Sequence, residues 1–347
     1  MTVPADFHSA PSGHAGPGAA SLLAARQLTV SYGRNQPSAV RDVALEVPRG
    51  QTLGLVGESG SGKTSVGLAI LNLVAATGSV VFDGQEILGL HASQMRLLRR
   101  RMQMVFQNPA ASLDPRMTVR RIIQMPIIAH GIAPRRDADD LIAETLDKVS
   151  LPAAVMHRYP HQLSGGQRQR VAIARALVTT PDFIVCDEIT SSLDVSVQAQ
   201  VVNLLMDLQS DLGLTLLFIS HNLGIVRQVS GSIAVMYLGR VVESGPADQI
   251  YSSAAHPYTR ALLEAVPSPD PEVEANRNRV YLQADPTATL ATWSAGCVYA
   301  QRCPFATDLC HQAEPALTTA TSAGHLAACH YSEQVLSGTA SSKKDPE

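Results

Sequence analysis

The chain has 347 residues, 45% hydrophobic and 16% charged, with a formal net charge of −3 and a pI of about 6.4. This is the composition of a globular protein with room for one large domain and a smaller one, and it gives no global attraction to nucleic acid or to an anionic membrane. No run approaches 18 uninterrupted apolar residues, and residues 1–25 hold no Lys or Arg and no apolar core, so neither a spanning helix nor a secretory signal is expected and the compartment expected is the cytoplasm.

Residues 1–20, rich in Ala, Gly, Pro and Ser, predict a mobile tail. Order is expected from Ser21. Gln27–Tyr32 and Val43–Val47 alternate as half-exposed antiparallel strands, and Thr52–Val56 is a short apolar run that reads as a buried strand. Directly behind it stands Gly57-Glu58-Ser59-Gly60-Ser61-Gly62-Lys63-Thr64, a G-x-x-x-x-G-K-[ST] loop, followed by Ser65. Val66, Ala69, Ile70, Leu73 and Val74 then recur on one helical face.

Strand, glycine loop and helix together aim backbone N–H groups and a positive helix end at an anion. The loop predicts a nucleotide site in which Lys63 reaches the β- and γ-phosphates and the Thr64 hydroxyl ligates Mg²⁺. Tyr32, at the end of the first strand, is placed to stack on a base or to serve as an ordinary aromatic.

Val80–Phe82, Asp83-Gly84 and Gln85–Ile87 predict a hairpin with a type I′ turn. His91–Met104 reads as a basic helix with a solvated face, Val105–Gln107 as a strand, and residues 118–150 as mostly helical, with Asp137, Asp139 and Asp140 at a helix start. A helical insertion over about 92–178 is the simplest account of this stretch. Within it, Leu163-Ser164-Gly165-Gly166-Gln167 is a second glycine turn leading into a helix, Arg168–Val178, and therefore a second anion-binding device.

Phe183–Asp187 is an apolar strand closing in Asp187 and Glu188. It is expected beside the phosphate-loop strand in a parallel sheet, with both carboxylates at its carboxyl end. Asp187 suits Mg²⁺, and Glu188 suits orientation of an attacking water. Cys186 reads as core. Ser191–Asp194 leads into a helix capped by Asp194 or Ser196, with Val197, Val201, Leu204, Leu205 and Leu208 on one face. Thr215–Ile219 is a further buried strand that delivers His221 toward a γ-phosphate, and Ile233–Leu238 with Val241–Glu243 predicts a second hairpin.

Four of the five cysteines follow position 296, at Cys297, Cys303, Cys310 and Cys329, beyond a boundary at Pro267-Ser268-Pro269-Asp270-Pro271. Reduced thiols gathered in so short a segment point to a metal or to free thiols; the spacing chooses neither zinc nor iron–sulfur, although His311 and His330 could substitute in a zinc site.

The ordered set of motifs resembles an ATP-binding cassette (ABC) ATPase over Ser21–Val266. In that family Gln107 is the Q-loop glutamine near the nucleotide and Mg²⁺, Leu163–Gln167 the signature, Asp187 and Glu188 the magnesium and base carboxylates, Ser191–Asp194 the D-loop, and His221 the switch histidine. Tyr32 resembles the adenine-stacking aromatic. Ile189 departs from the proline usual there. The resemblance implies an α/β P-loop fold with a RecA-like core, an antiparallel β subdomain and an inserted helical subdomain. It also implies head-to-tail pairing, with Ser164, Gly165, Gly166 and Gln167 completing the ATP site of a second ATPase subunit, a copy or a paralogue.

Gln107–Arg116, Arg158–Gln162, Leu193–Gln200 and His256–Leu263 resemble oligopeptide and dipeptide importers, with nickel and glutathione importers sharing these stretches. That likeness implies two transmembrane permease subunits, one of which docks at 108–126, an extracytoplasmic solute-binding protein, no nucleic acid, and a place on the cytoplasmic face of the membrane. It further implies domains at 21–265 and 266–335 with a tail at 336–347, and a [4Fe–4S] cluster in preference to Zn²⁺ at the four C-terminal cysteines. The other classes weighed are a non-transport ABC ATPase acting on nucleic acid and an iron–sulfur redox protein with a regulatory nucleotide site.

Overall fold

The computed structural model describes residues 21–33, 37–266, 295–321 and 324–339; the expected tail at 1–20, the boundary at 267–271 and residues 340–347 lie outside the described residues. Strands β1 (Ser21–Val30) and β2 (Val40–Pro48) pair antiparallel, and β1 pairs on its other side with β4 (Thr77–Phe82), which turns into β5 (Gln85–Glu86). The turn holds Asp83 at φ 50 and Gly84 at φ 80, the pair of positive values that a type I′ hairpin needs. These four strands form the antiparallel sheet expected from their alternation.

The main sheet carries the chemistry. Its order is β11-β12-β10-β9-β3-β8-β7-β6. The central strands are β3 (Thr52–Val56), β6 (Met102–Val105), β7 (Phe183–Asp187) and β8 (Thr215–Ser220), all parallel, with β9 (Ser232–Tyr237) parallel to β3 and β10 (Arg240–Pro246) returning antiparallel. Along β7, Phe183 and Val185 enter one core while Ile184 and Cys186 enter the other, and β8 alternates likewise with Leu217 and Ile219 opposite Leu216 and Phe218. Both faces are covered, so strands of parallel type read as continuous apolar runs.

Three expectations are corrected here. β7 does not lie beside β3, because β8 is inserted between them. The strand expected at Val105–Gln107 is β6, ending at Val105, and it belongs to the main sheet; the stretch 92–178 is therefore not helical throughout, and α2 (Ala92–Arg101) ends where β6 begins. The phosphate-loop helix α1 (Lys63–Ile70) is short, and Leu73, placed by periodicity on its buried face, is exposed.

The helices within 109–177 are α3 (Pro109–Ser112), α4 (Val119–His130), α5 (Ala138–Lys148) and α6 (Gly165–Leu177). Ile122, Ile123, Ile127, Ile142 and Leu146 close on one another in a core continuous with α6 and with α7 (Val195–Leu212). Two short helices follow β8 and β10, α8 (Leu223–Val229) and α9 (Ala247–Ser252), and α10 (Pro257–Glu264) comes next.

The C-terminal residues dock onto the same sheet. β12 (Leu326–Ala327) pairs with β10 and with β11 (Thr318–Thr319), flanked by α11 (Asp308–Gln312) and α12 (Ser332–Ser337). A fully buried Glu243 on β10 fixes this edge: its carboxylate accepts from the backbone N–H groups of Ala255 and His256 at 2.7 and 3.0 Å and bonds His325 Nε2 at 2.8 Å. Burial pushes the His256 pKa down to about 4, so its ring stays neutral and accepts the Tyr258 N–H through Nδ1.

Helix α1 lies close to the sheet because position 67 is glycine. A Cβ there would sit 2.9 Å from Val185 Cγ1 and 3.2 Å from Ile219 Cδ1, inside a filled core. Gly67→Val is expected to cost about 1–3 kcal/mol through overpacking, read as a lower urea midpoint with an unchanged slope; an unaltered midpoint would show that the helix has slack.

Candidate active site

The loop at 57–64 leaves the carboxyl end of β3 and turns into α1. Gly57 (φ 154) and Gly62 (φ 97) permit that path; a Cβ would meet Met236 O at 2.1 Å from the first and Ala39 O at 2.3 Å from the second. Lys63, the first residue of α1, is only 4% exposed. Its ammonium donates to the carbonyls of Gly57 and Glu58, both at 2.8 Å, and to Ser61 Oγ at 3.4 Å, and it stands 4.0 Å from Glu188 Oε1. Burial lowers its pKa, opposed by Glu188, Asp187 and Glu58. A cation in so little water needs anionic neighbours, and phosphate is the group that such a loop accepts.

Although β8 separates β3 from β7, both strands end at the same level, and the Thr64 hydroxyl lies 3.1 and 3.0 Å from the two carboxylate oxygens of Asp187. Asp187 is 3% exposed; burial raises its pKa against the opposing hydrogen bond from Thr64, and the Glu188 carboxylate raises it further. Hydroxyl and carboxylate form a hard-oxygen pair of the kind that takes Mg²⁺. Glu188, at φ 44, turns out of the strand: Gln107 Nε2 donates to its Oε2 at 2.7 Å, and His221 Nδ1 lies 3.5 Å from its Oε1. Lys63, Thr64, Gln107, Asp187, Glu188 and His221 thus meet at one end of the sheet. Ser59, Gly60 and Ser61 belong to the same loop. Tyr32 is 57% exposed and its hydroxyl donates to Ser65 Oγ at 3.0 Å, which leaves its ring available at the rim. Cys186 is wholly buried and its pKa is pushed up to about 12, in keeping with a core role.

Ser164 caps α6. Its Oγ accepts from Gln167 N at 3.2 Å while Gln167 Oε1 accepts from Ser164 N at 3.1 Å, so the helix begins at Gly165, three residues before the expected Arg168. A Cβ on Gly166 would lie 2.6 Å from Val197 Cγ1, so α6 abuts the start of α7, which Asp194 caps through Val197 N. Among the described residues no hydrogen bond or ion pair joins 164–167 to the loop at 57–64. The glycine turn does lead into a capped helix start, and that start is separate from the loop at 57–64.

The four C-terminal cysteines come together. Cys297, Cys303, Cys310 and Cys329 line one cavity of ≈ 20 Å³, with His330 and Tyr331. His311 is exposed and is not among the lining residues, whereas His330 lines the cavity with its Nε2 bonded to the Ala313 carbonyl. Among the described residues no three His, Cys, Asp or Glu side chains close on a single metal ion.

Sheet, loop and converging carboxylates define a P-loop nucleotide triphosphatase of ABC type. Comparison with known proteins agrees: residues 40–191 match the ABC transporter family, and residues 242–310 match the oligopeptide/dipeptide transporter C-terminal region. The chain is 47% identical to the oligopeptide transport ATP-binding protein OppF of Salmonella typhimurium over 281 residues, 80% of this chain and 84% of that one. It is 46% identical over 311 residues to a Brucella ovis ATP-binding protein provisionally named for peptide import, covering 89% of this chain and 97% of the relative. Among solved structures, the dimeric ATP-binding cassette MJ0796 bound to ADP and Pi superposes with a TM-score of 0.59 at 28% identity, over 65% of this chain and 98% of that one. The chain belongs to the ATP-binding subunits of ABC importers of the oligopeptide/dipeptide type, and it is an ATPase.

Sequence reasoning met Glu58, Tyr258 and Arg302 only inside longer motifs, gave them no role, and passed over Tyr237 and Tyr299; the five form one connected group beside the loop. Their contacts span up to 244 residues of chain, and no local periodicity marks such a pair. Lys63→Ala is expected to lower phosphate release by at least about a hundredfold; turnover at the original rate would remove Lys63 from the site.

Proposed function

We propose that this chain hydrolyses MgATP to power uptake of peptides through a membrane complex, as a peripheral subunit on the cytoplasmic face. The observation that carries the chemistry is the meeting of Lys63, Asp187–Thr64 and the Gln107–Glu188–His221 group at one end of the sheet. The peptide assignment rests on the names of the relatives and on the match at 242–310.

In this reading the N–H groups of Gly60, Ser61 and Gly62 and the Lys63 ammonium hold the phosphates, and Tyr32 stacks on the base. Thr64 and Asp187, with Gln107 at the margin, would hold Mg²⁺, which would supply charge screening for phosphoryl transfer. Glu188 orients the attacking water and draws off its proton, while His221 steadies the γ-phosphate. The Gln107 hydrogen bond to Glu188 ties readiness for hydrolysis to whatever presses on the segment after residue 107.

Ser164, Gly165, Gly166 and Gln167, with Asp194 nearby, act on the ATP held by a second ATPase subunit, copy or paralogue. Their separation from this chain's own loop supports that reading, as does the dimeric assembly of MJ0796. Triphosphate spanning both surfaces favours the closed pair, and cleavage removes the bridge.

A groove of ≈ 580 Å³ between α2, β6 and α4, lined by Leu73, Arg96, Arg99, Phe106 and His130, offers the permease its seat. Met125 and Ile128, on the helix α4 that bounds the groove, are also exposed. No described helix is long and apolar enough to cross a membrane, so in this reading two transmembrane permease subunits supply the channel and an extracytoplasmic binding protein the solute. Domains at 21–265 and 266–335 fit this division of labour.

The cysteine cavity belongs to the same reading. Four thiols around one space are a soft donor set. Cys297, Cys303, Cys310 and Cys329 would hold a [4Fe–4S] cluster, whose contribution there is a cross-link in a segment with little core of its own.

Glu188→Gln is expected to retain ATP and accumulate a closed pair that elutes as a dimer only with MgATP; turnover at the wild-type rate would contradict the role of Glu188. Gently solubilised membranes should yield the permease subunits with this chain, whereas recovery with nucleic acid would favour a non-transport ATPase. The same sample should contain about four irons and matching acid-labile sulfide per chain; four titratable thiols without iron would refute the cluster.

A further inference from the structure

The phosphate loop carries a carboxylate of its own. Glu58 lies inside the G-x-x-x-x-G-K-T segment, and its charge is among those that reach the Lys63 ammonium. An anion-binding loop that includes a free carboxylate would repel the phosphates it is built to hold.

The structure places a counter-charge on that carboxylate from the far end of the chain. Arg302 donates through Nη1 to Glu58 Oε2 at 2.9 Å and through Nη2 to Oε1 at 3.1 Å, a two-pronged pair. Its side chain is 5% exposed, against 20% for Glu58, so water screens the pair weakly. Nη1 also donates to Tyr237 Oη at 3.2 Å, and the guanidinium lies 5.6 and 6.0 Å from the ring centroids of Tyr237 and Tyr299. The backbone of the same loop residue is held as well. Glu58 N–H donates to Tyr258 Oη at 2.9 Å, and the Glu58 carbonyl accepts from Lys63. Tyr258, Tyr237 and Tyr299 pack ring against ring at 4.6–5.4 Å, so the residues that grip Glu58 are themselves immobilised. Arg302 sits between Tyr299 and Cys303, in the turn that carries two of the cavity cysteines, with Arg302 N bonded to Tyr299 O.

We propose that Arg302 is a positioning residue of the ATP site: it neutralises the Glu58 carboxylate, holds the phosphate loop in its binding shape, and makes nucleotide affinity depend on the docked C-terminal segment. The proposal rests on MgATP being the ligand of the loop. It distinguishes Arg302 from a mere tether of the C-terminal segment, because a tether would not depend on the charge at position 58.

The test measures MgATP affinity of the full-length chain by calorimetry, with thermal unfolding followed in parallel. Arg302→Gln exposes the loop to its own carboxylate and is expected to weaken MgATP binding by about tenfold. Arg302→Gln combined with Glu58→Gln removes that carboxylate and should return the affinity to within about threefold of wild type. Arg302→Lys keeps the charge but loses the two-pronged fork; it takes the place of Arg302→Gln if that variant does not fold, and is expected to weaken binding by less than about tenfold. The proposal is overturned if Arg302→Gln binds like wild type, or if adding Glu58→Gln to the Arg302 variant leaves binding as weak as in that variant alone. Wild-type protein that fails to bind MgATP would overturn the ATPase reading as well.

Discussion

Everything at the active end of this protein is arranged around one buried cation. The Lys63 ammonium, with almost no water around it, is bound by two carbonyls of its own loop and faced by the carboxylate of Glu188. Such a charge is stable only where the fold supplies partners from several directions. The parallel sheet does this by ending β3, β7 and β8 at one level, so that Asp187, Glu188 and His221 arrive at the loop from strands that are not all its neighbours. The apolar faces of those strands fix that level. Shifting β7 or β8 by one residue would carry Val185 or Ile219 to the opposite core.

The second constraint is separation. The start of α6 carries its own capping box, Ser164 with Gln167, and makes no hydrogen bond or ion pair to the loop at 57–64 among the described residues. In the proposed reading that separation suits a reaction chamber closed by another subunit, with ATP as the closing ligand. Gln107, whose Nε2 donates to Glu188, directly follows Phe106, one of the residues lining the groove between α2 and α4.

Much of this was legible in sequence because it is local. The loop glycines, the apolar run closing in Asp187-Glu188 and the Asp83-Gly84 turn are each written within a few residues, and the structure places each of them where that reading expects; the glycine turn at 163–167 was legible too, although its helix starts at Gly165 and not at Arg168. What failed was non-local. Alternation in Phe183–Asp187 says that the strand is buried, but nothing in it says that β8 will lie between it and β3. Periodicity also carried the α1 face on to Leu73, although the helix stops at Ile70 and the chain turns at Asn72, whose φ is 50. The grip on Glu58 was invisible for the same reason: Tyr258 and Arg302 are 200 and 244 residues away. The Cys spacing left a metal site and free thiols both open; the four thiols do line one cavity, a convergence that spacing does not encode.

The most direct measurement is a crystal structure of the full chain with Mg²⁺ and a non-hydrolysable ATP analogue. The account predicts that the Lys63 ammonium leaves the Gly57 and Glu58 carbonyls for the terminal phosphates, that Thr64 and Asp187 share the Mg²⁺, and that Ser164 of a second subunit faces the γ-phosphate. Nucleotide seated away from the loop, or held entirely by one chain with its own Ser164 on the γ-phosphate, would contradict it.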